Sequence, residues 1–227
     1  MTGPGRSLRL SEPLALVVGV TAVALVATSG PQLTALAVET GGLVVLALGV
    51  RSRRRGRPLL GTTLALVAAG IVVASLGLGV TLPTEMTARV ELLPGLVGLP
   101  VLALGALGIR DGWGRRLVTT GAAVVFVNVL TSGVVHGAPA TALLAAAVAT
   151  VLAWDFGEQA VNLTEQVGRD AETWTAELAH GAGSLAVGVA GVGLAVGFQT
   201  LAVTGLSLAV LALLLAGAVA LMAALYN

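Results

Sequence analysis

Long runs of apolar residues, separated by short polar interruptions, extend along almost the whole chain. Runs of roughly 17–25 apolar residues are long enough to cross the hydrocarbon core of a bilayer as helices. The pattern therefore predicts an all-α, polytopic transmembrane bundle of about eight spans. The predicted spans cover approximately residues 13–29, 33–50, 59–80, 91–109, 117–135, 139–154, 182–199 and 203–225.

The two ends of the chain leave alternatives open. Two arginines precede the first apolar run and small residues end it, a pattern that also allows a cleaved signal peptide. We favour an uncleaved span, because Ser11 and Pro13 form a helix-start signal. Near the other end, only Gln199-Thr200 and a loose turn separate the last two runs, so the count is seven or eight.

Composition supports a membrane protein with a single integral membrane domain over residues 1–227. The chain is 56% hydrophobic and 10% charged, and its mean hydropathy is +0.99. A soluble domain carries about 25% charged residues. The chain has no cysteine and no lysine, which excludes disulfides, thiolate metal sites, cysteine nucleophiles and Schiff-base chemistry.

Arginine is distributed unevenly over the predicted connections. With the N-terminus in the cytoplasm, all of the 12 basic residues except Arg89 lie on the cytoplasmic side. This positive-inside bias predicts a multi-pass protein of the cell membrane with both termini cytoplasmic. We expect the connection between spans two and three to contact anionic lipids of the inner leaflet rather than nucleic acid, because it lies between two spans and lacks aromatic residues. Its arginines are Arg51, Arg53, Arg54, Arg55 and Arg57.

The segment 155–180, between spans six and seven, is the main acidic stretch of the chain. If the segment is an α-helix, which advances ~100° per residue, its apolar side chains form one stripe and most of its acidic side chains lie on the opposite side. This predicts a cytoplasmic acidic amphipathic helix of ~39 Å, continuous with span six or bent at Gly157. We expect the stripe to dock a partner. The stripe residues singled out are Phe156, Leu163, Val167, Trp174 and Leu178.

Three surfaces are alternatives for covering this stripe. The bilayer surface is disfavoured, because surface-lying helices usually carry basic polar faces and an anionic leaflet repels acidic ones. A second copy of the chain or a cytoplasmic protein is favoured. The protein's own basic loops are the remaining alternative, since they offer opposite charge on the same side.

The run from Trp154 to Arg169, WDFGEQAVNLTEQVGR, followed by Ala176, Glu177 and His180, resembles an uncharacterised family of haloarchaeal multi-pass membrane proteins. The absence of lysine and the acidic inner segment suit a salt-loving organism. The resemblance implies a gene neighbourhood with a MoxR-type AAA ATPase and a von Willebrand-type domain protein, and hence an accessory membrane component. It implies no catalytic residue.

Glu39 is the intramembrane polar candidate. It lies about 9 Å inside the outer end of span two at helical rise, and an ionisable group at such depth is a functional candidate. We hypothesise that it is buried and binds a proton or a cation. The alternative is a structural role, either at the outer interface or paired with Arg89. The fourth span carries Pro94 and Pro100, so we expect it to be kinked or partly unwound.

No residue constellation predicts catalysis, a metal site or a cofactor. The two histidines, His136 and His180, fall on opposite sides of the membrane in the predicted topology, and no metal-binding spacing surrounds either. The HGAGS stretch that ends at Ser184 departs from the Gly-x-Ser-Gly motif of rhomboid proteases. We therefore predict a non-enzymatic scaffold or accessory subunit that docks a partner through the helix at 155–180. The alternative is a small-solute or ion transporter that uses Glu39 and a Pro-broken fourth span.

Overall fold

The structure is a computed structural model that describes residues 10–109, 112–167 and 174–200. These residues form helices and their connections, with no strand among them, which confirms the all-α prediction. The chain divides into two compact units, Met1–Val192 and Gly193–Asn227; of the second, only the end of the last helix is described. The helices are α1 (Ser11–Val26), α2 (Gly30–Arg54), α3 (Pro58–Thr81), α4 (Met86–Ala106), α5 (Gly114–His136), α6 (Ala140–Val167) and α7 (Trp174–Thr200).

Six of the seven described helices, α2 to α7, are long and apolar enough to cross a membrane, judged by length and composition. This supports a transmembrane protein. The helix α1 is apolar but shorter, at 16 residues. The eighth predicted span, 203–225, lies outside the described residues, so the count of eight stays a prediction.

The helix ends follow local signals in the sequence. Ser29 caps α2 in a reciprocal capping box with Gln32, and a proline follows in the first turn. Between α2 and α3, Gly56 has a φ of 76°, a left-handed conformation that glycine adopts without strain. The helix α5 ends at the left-handed Gly137. Each of these turns reverses the chain, so consecutive helices run in alternating directions.

The helices pack most extensively as the pairs α2–α3, α4–α5 and α1–α6. The helix α4 is the most enclosed of the candidate spans, because 56% of its most apolar window is buried, against 17% in α3 and 11% in α7. The main core lies between α1, α2 and α4, with Leu43, Leu92, Leu96 and Leu99 among its fully buried side chains.

The fourth span is a continuous helix from Met86 to Ala106, although Pro94 and Pro100 lie inside it. The expectation that this span is partly unwound or broken was therefore wrong, whereas a kink at the prolines stays a prediction. Glycines on α4 and α5 let the two backbones touch. A Cβ atom at Gly98 would lie 2.7 Å from Val125 N, and one at Gly105 would lie 2.6 Å from Val118 N. This close packing supports α4 along its length and offsets the backbone hydrogen bonds that the prolines remove.

The acidic segment 155–180 is divided between two helices. Its first part continues α6 to Val167 without a break at Gly157, and its last part begins α7 at Trp174; residues 168–173 lie outside the described residues. Asp155 Oδ2 lies 2.9 Å from His180 Nε2, whereas one straight helix would separate these residues by about 38 Å. The prediction of a single helix over 155–180 is corrected accordingly, because contacts between the arms hold the chain in a reversal.

Candidate functional site

Glu39 is fully buried on α2, as the sequence predicted, with 0% of its surface exposed. The hydroxyl of Ser75 on α3 contacts both Glu39 Oε2 and, at 2.8 Å, Val72 O, so its single proton is shared between these two acceptors. Glu39 Oε1 has no hydrogen-bond partner among the described residues. A carboxylate at depth with one unsatisfied oxygen is a candidate site for a small ligand.

The alternative pairing of Glu39 with Arg89 is not found in the described residues. Arg89 instead donates from Nε to Pro83 O at 2.9 Å. Glu39 also lies well inside α2, nine residues after the helix begins at Gly30, and it does not reach a helix end. Its burial is established, and its binding role stays a prediction.

A second buried carboxylate, Glu91 of α4, was missed by the sequence analysis. It is 1% exposed, and its Oε2 lies 2.7 Å from His136 Nδ1 and 3.2 Å from Gln32 Nε2. The residue begins the predicted fourth span, where a polar side chain is expected to reach the membrane surface. The spacing of residues along the helix could have indicated the burial of Glu91. Ala88, Glu91 and Leu92 fall on one face of α4, and all three are buried.

Gln32 connects Glu91 to the turn between α1 and α2. Its Oε1 accepts hydrogen bonds from Thr28 N at 2.7 Å and Ser29 N at 3.1 Å, while its Nε2 donates to Ala88 O at 3.1 Å. The amide is fixed by these bonds. A groove of about 250 Å³ borders this cluster on the side of His136.

The beginning of α7 is attached to the beginning of α1 by a third buried carboxylate. Glu177 is 1% exposed, and its Oε2 accepts hydrogen bonds from Leu10 N and Ser11 N, both at 2.7 Å. The residue before α1, Leu10, makes no side-chain cap of its own. Glu177 therefore caps α1 across 166 residues of sequence, and its negative charge complements the positive end of the helix dipole.

The predicted docking stripe is only partly available at the surface. Phe156 is 5% exposed and packs in a core cluster with Ala15, Leu102 and Val118. Its assignment as a docking residue was wrong, because α7 approaches closely at Gly181, where a Cβ atom would lie 3.1 Å from the Phe156 ring.

The other stripe residues differ from Phe156 in exposure. Trp174 and Leu178 are 45% and 49% exposed on the first turns of α7. Leu163 is half-buried, and the side chain of Val167 lies outside the described part of the structure. The surface left for a partner is therefore the outer side of the beginning of α7.

His180 and Ser184 both contact Asp155 rather than each other. Ser184 Oγ donates to Asp155 Oδ2 at 2.7 Å, and His180 Nε2 lies 2.9 Å from the same oxygen. A serine whose proton is bound to a carboxylate is not prepared as a nucleophile by histidine. Within the described ranges, no group of three His, Cys, Asp or Glu residues is placed to hold a metal ion.

The two histidines lie at opposite ends of the bundle. His136 lies at the end of α5. At the start of α5, Arg115 pairs with Glu158 of α6 at 3.4 Å. Glu158 lies one helical turn from Asp155, the residue that His180 contacts. The length of α5 between Arg115 and His136 is roughly 30 Å. The two histidines therefore cannot form one site.

The basic connection between α2 and α3 is exposed, and its Arg54 forms an ion pair with Glu12. Arg54 Nη1 lies 3.0 Å from both carboxylate oxygens of Glu12, and Arg54 Nη2 donates to Leu107 O. Arg54 thus joins α1, α2 and α4. The remaining arginines of the connection lie at the surface, where contact with lipid stays a prediction: Arg51, Arg53, Arg55 and Arg57.

Comparison with known protein families gives a match over more than half of the chain. The model of a family of unknown function, DUF7519, matches residues 77–222. No curated protein and no solved structure matches the chain. The matched region includes Glu91, the acidic segment and the beginning of α7, and it excludes Glu39.

Proposed function

Because the chain belongs to the DUF7519 family of unknown function, we propose from its geometry that it is a non-enzymatic, multi-pass membrane protein that acts as a scaffold or accessory subunit. It presents the beginning of α7 to a protein partner. One observation carries this proposal. Trp174 and Leu178 remain 45% and 49% exposed, while Glu177, between them, is bonded to α1.

This arrangement presents apolar side chains on a fixed support. A partly exposed tryptophan next to a leucine is typical of the anchors of a protein interface. Because Glu177 fixes α7 to the bundle, little ordering entropy is lost when a partner binds these side chains.

Charge favours a separate protein with a basic rim as the partner. Glu165, near the end of α6, is exposed, and the adjoining sequence carries Asp170 and Glu172. A second copy of this chain would place the same acidic residues against those around Trp174 and Leu178, and this like-charge contact is unfavourable. The MoxR-type AAA ATPase implied by the resemblance is one protein to test for this chemistry.

Co-purification from native membranes tests the docking proposal. We expect a protein that accompanies the wild type to be lost with a Trp174→Ala, Leu178→Ala double variant. A matched control is a Leu59→Ala, Val134→Ala double variant, because these side chains are 84% and 87% exposed on other helices. Loss of the same protein from both variants, or from neither, would contradict docking at α7.

A second candidate function, transport of a small solute or ion, is favoured by the burial of Glu39 beside Ser75 inside two candidate spans. The continuous α4 removes the broken helix from this alternative, so Glu39 alone carries it. In liposomes, Glu39→Gln is expected to abolish proton or sodium flux, while Glu85→Gln at an exposed position leaves it unchanged. Equal flux in the wild type and Glu39→Gln would exclude this candidate.

We also propose that both termini are cytoplasmic, that the exposed arginines between α2 and α3 contact the inner leaflet, and that the source is a haloarchaeon. Since the chain contains no cysteine, single cysteines in place of Arg57 and Thr84 report orientation cleanly. An impermeant thiol reagent added to intact cells should label the second and spare the first. The reverse labelling would contradict the orientation.

A further inference from the structure

A groove of about 230 Å³ lies at the surface of the bundle between α5 and α6. It is distinct from the docking surface on α7 and from Glu39. Both helices that form it are long and apolar enough to cross a membrane, and the accessible surface of the groove is apolar. The residues that line it include Ala122, Ala123 and Phe126 of α5 and Thr150, Val151 and Trp154 of α6.

The two threonines of the groove direct their hydroxyl groups to protein partners. Thr150 Oγ1 donates to Ala146 O at 2.8 Å. Thr119 Oγ1 donates to Glu158 Oε1 at 3.3 Å and accepts from Trp154 Nε1 at 3.4 Å. Trp154 therefore closes this end of the groove with an apolar ring and a bonded N–H group, which is how tryptophan lies at a membrane–water interface.

Two arginines lie about one helical turn beyond this end of the groove, at the start of α5. Arg115 pairs with Glu158 and with Glu165, each at 3.4 Å. Arg116 is exposed, and it forms no ion pair in the part of the chain that the structure describes. Since Arg116 precedes Thr119 by three residues, the two side chains share a face of α5. Arg116 is thus a cation at the groove whose charge the described acidic residues do not balance.

The arginine and the groove together match the depth of one lipid leaflet. From Arg116 to Phe126, α5 rises by about 15 Å, which is half of a hydrocarbon core of about 30 Å. We propose that the groove binds a hydrocarbon chain of an anionic phospholipid and that Arg116 binds its phosphate group. A guanidinium group suits this role, because it donates two parallel hydrogen bonds to phosphate oxygens.

Charge favours a phospholipid over an apolar helix as the occupant. The predicted span 203–225 contains no charged residue, so it offers no acidic partner to Arg116. A second copy that packs symmetrically through the same groove would bring Arg116 near its own counterpart, and this like-charge contact is unfavourable. A phospholipid supplies both an apolar chain for the groove and a negative charge for the arginine.

Quenching of Trp154 fluorescence by brominated lipids tests this proposal at the groove itself. The chain has three tryptophans, so Trp113→Phe and Trp174→Phe leave Trp154 as the reporter. The full-length protein is placed in vesicles of equal parts dioleoyl phosphatidylglycerol and dioleoyl phosphatidylcholine, with bromine on the chains of one lipid or of the other. We expect phosphatidylglycerol to bind about fivefold better, the factor that one arginine contributes near an anionic headgroup.

Two pairs of variants separate the arginine from the groove. Arg116→Gln should reduce the preference to about one, whereas Arg57→Gln, at an exposed position between α2 and α3, should leave it unchanged. Ala123→Phe fills the groove and should also lower the preference, whereas Ala69→Phe, at an exposed position on α3, should not. Quenching by brominated phosphatidylcholine should persist in Arg116→Gln, which reports that Trp154 still faces lipid.

Four results would overturn the proposal. Equal quenching by the two lipids in the protein without further substitutions would mean that ordinary bilayer lipid contacts Trp154. No quenching by either lipid would mean that protein covers the groove. An equal loss of preference in Arg57→Gln and Arg116→Gln would assign the attraction to overall surface charge. An unchanged preference in Ala123→Phe would place the chain of the lipid outside the groove.

Discussion

Glu177 and Glu39 are both buried carboxylates, but they differ in the hydrogen-bond partners that surround them. Glu177 accepts two backbone hydrogen bonds at the positive end of α1, so a fixed structural partner stabilises its carboxylate. Glu39 has one hydroxyl donor, and its other oxygen has no partner in the part of the chain that the structure describes, inside a candidate span. The first arrangement is typical of a stabilising contact, and the second is typical of a site that binds something else.

The largest expected effect is at Glu177. Replacing it with Ala leaves the N–H groups of Leu10 and Ser11, at the start of α1, without this acceptor and should lower the free energy of unfolding by about 3 kcal/mol. Replacing it with Gln retains an acceptor oxygen and should cost about 1 kcal/mol. Unfolding by SDS in mixed micelles measures both. Equal costs for the two variants would show that hydrogen bonding to α1 is not the source of the stability.

A smaller effect is expected at Ser75, the donor to Glu39. Ser75→Ala should lower the free energy of unfolding by about 1–2 kcal/mol, because a buried carboxylate loses its donor. In a Glu39→Leu background the same change should cost less than about 0.5 kcal/mol. Thr63→Ala on α3 is the control, since the Thr63 hydroxyl is exposed and donates to Leu59 O of its own helix. An identical cost of Ser75→Ala in both backgrounds would remove the contrast with Glu177.

The smallest effect on stability is expected for Glu39→Gln. The amide oxygen can still accept from Ser75, and no structural charge partner is lost, so the free energy of unfolding should change by less than about 1 kcal/mol. A loss as large as that of Glu177→Ala would assign Glu39 to structure and argue against the transport alternative. The SDS measurement is the same, so the two glutamates are compared directly.

The sequence predicts the helices well because membrane-spanning length and apolar character are local properties. All seven described helices overlap predicted spans, and the signals at Ser29, Pro58 and Gly137 mark their ends. The continuity of α4 was not predictable from its two prolines, since it depends on glycines of α5 that approach its backbone.

The candidate sites depend on contacts that no local pattern contains. Glu177 bonds α1 across 166 residues, and Gln32 bonds Glu91 across 59. Glu39 was identified because an acidic residue inside an apolar run is conspicuous. Glu91 was not singled out, because it lies at the start of the predicted fourth span, where a polar residue is unremarkable. Phe156 was assigned to the docking stripe because a helix shows the same amphipathic pattern when its apolar face packs inside the protein as when it binds a partner.

Site-specific photo-crosslinking in native membranes tests the docking claim most directly. A benzophenone amino acid would replace Trp174 in one protein and Val134, which is 87% exposed on α5, in a control. The account predicts a discrete protein adduct from position 174 that is absent from position 134, with a mass different from that of a dimer of this chain. Adducts only within the same chain or to lipid, or identical adducts from both positions, would contradict docking at the beginning of α7.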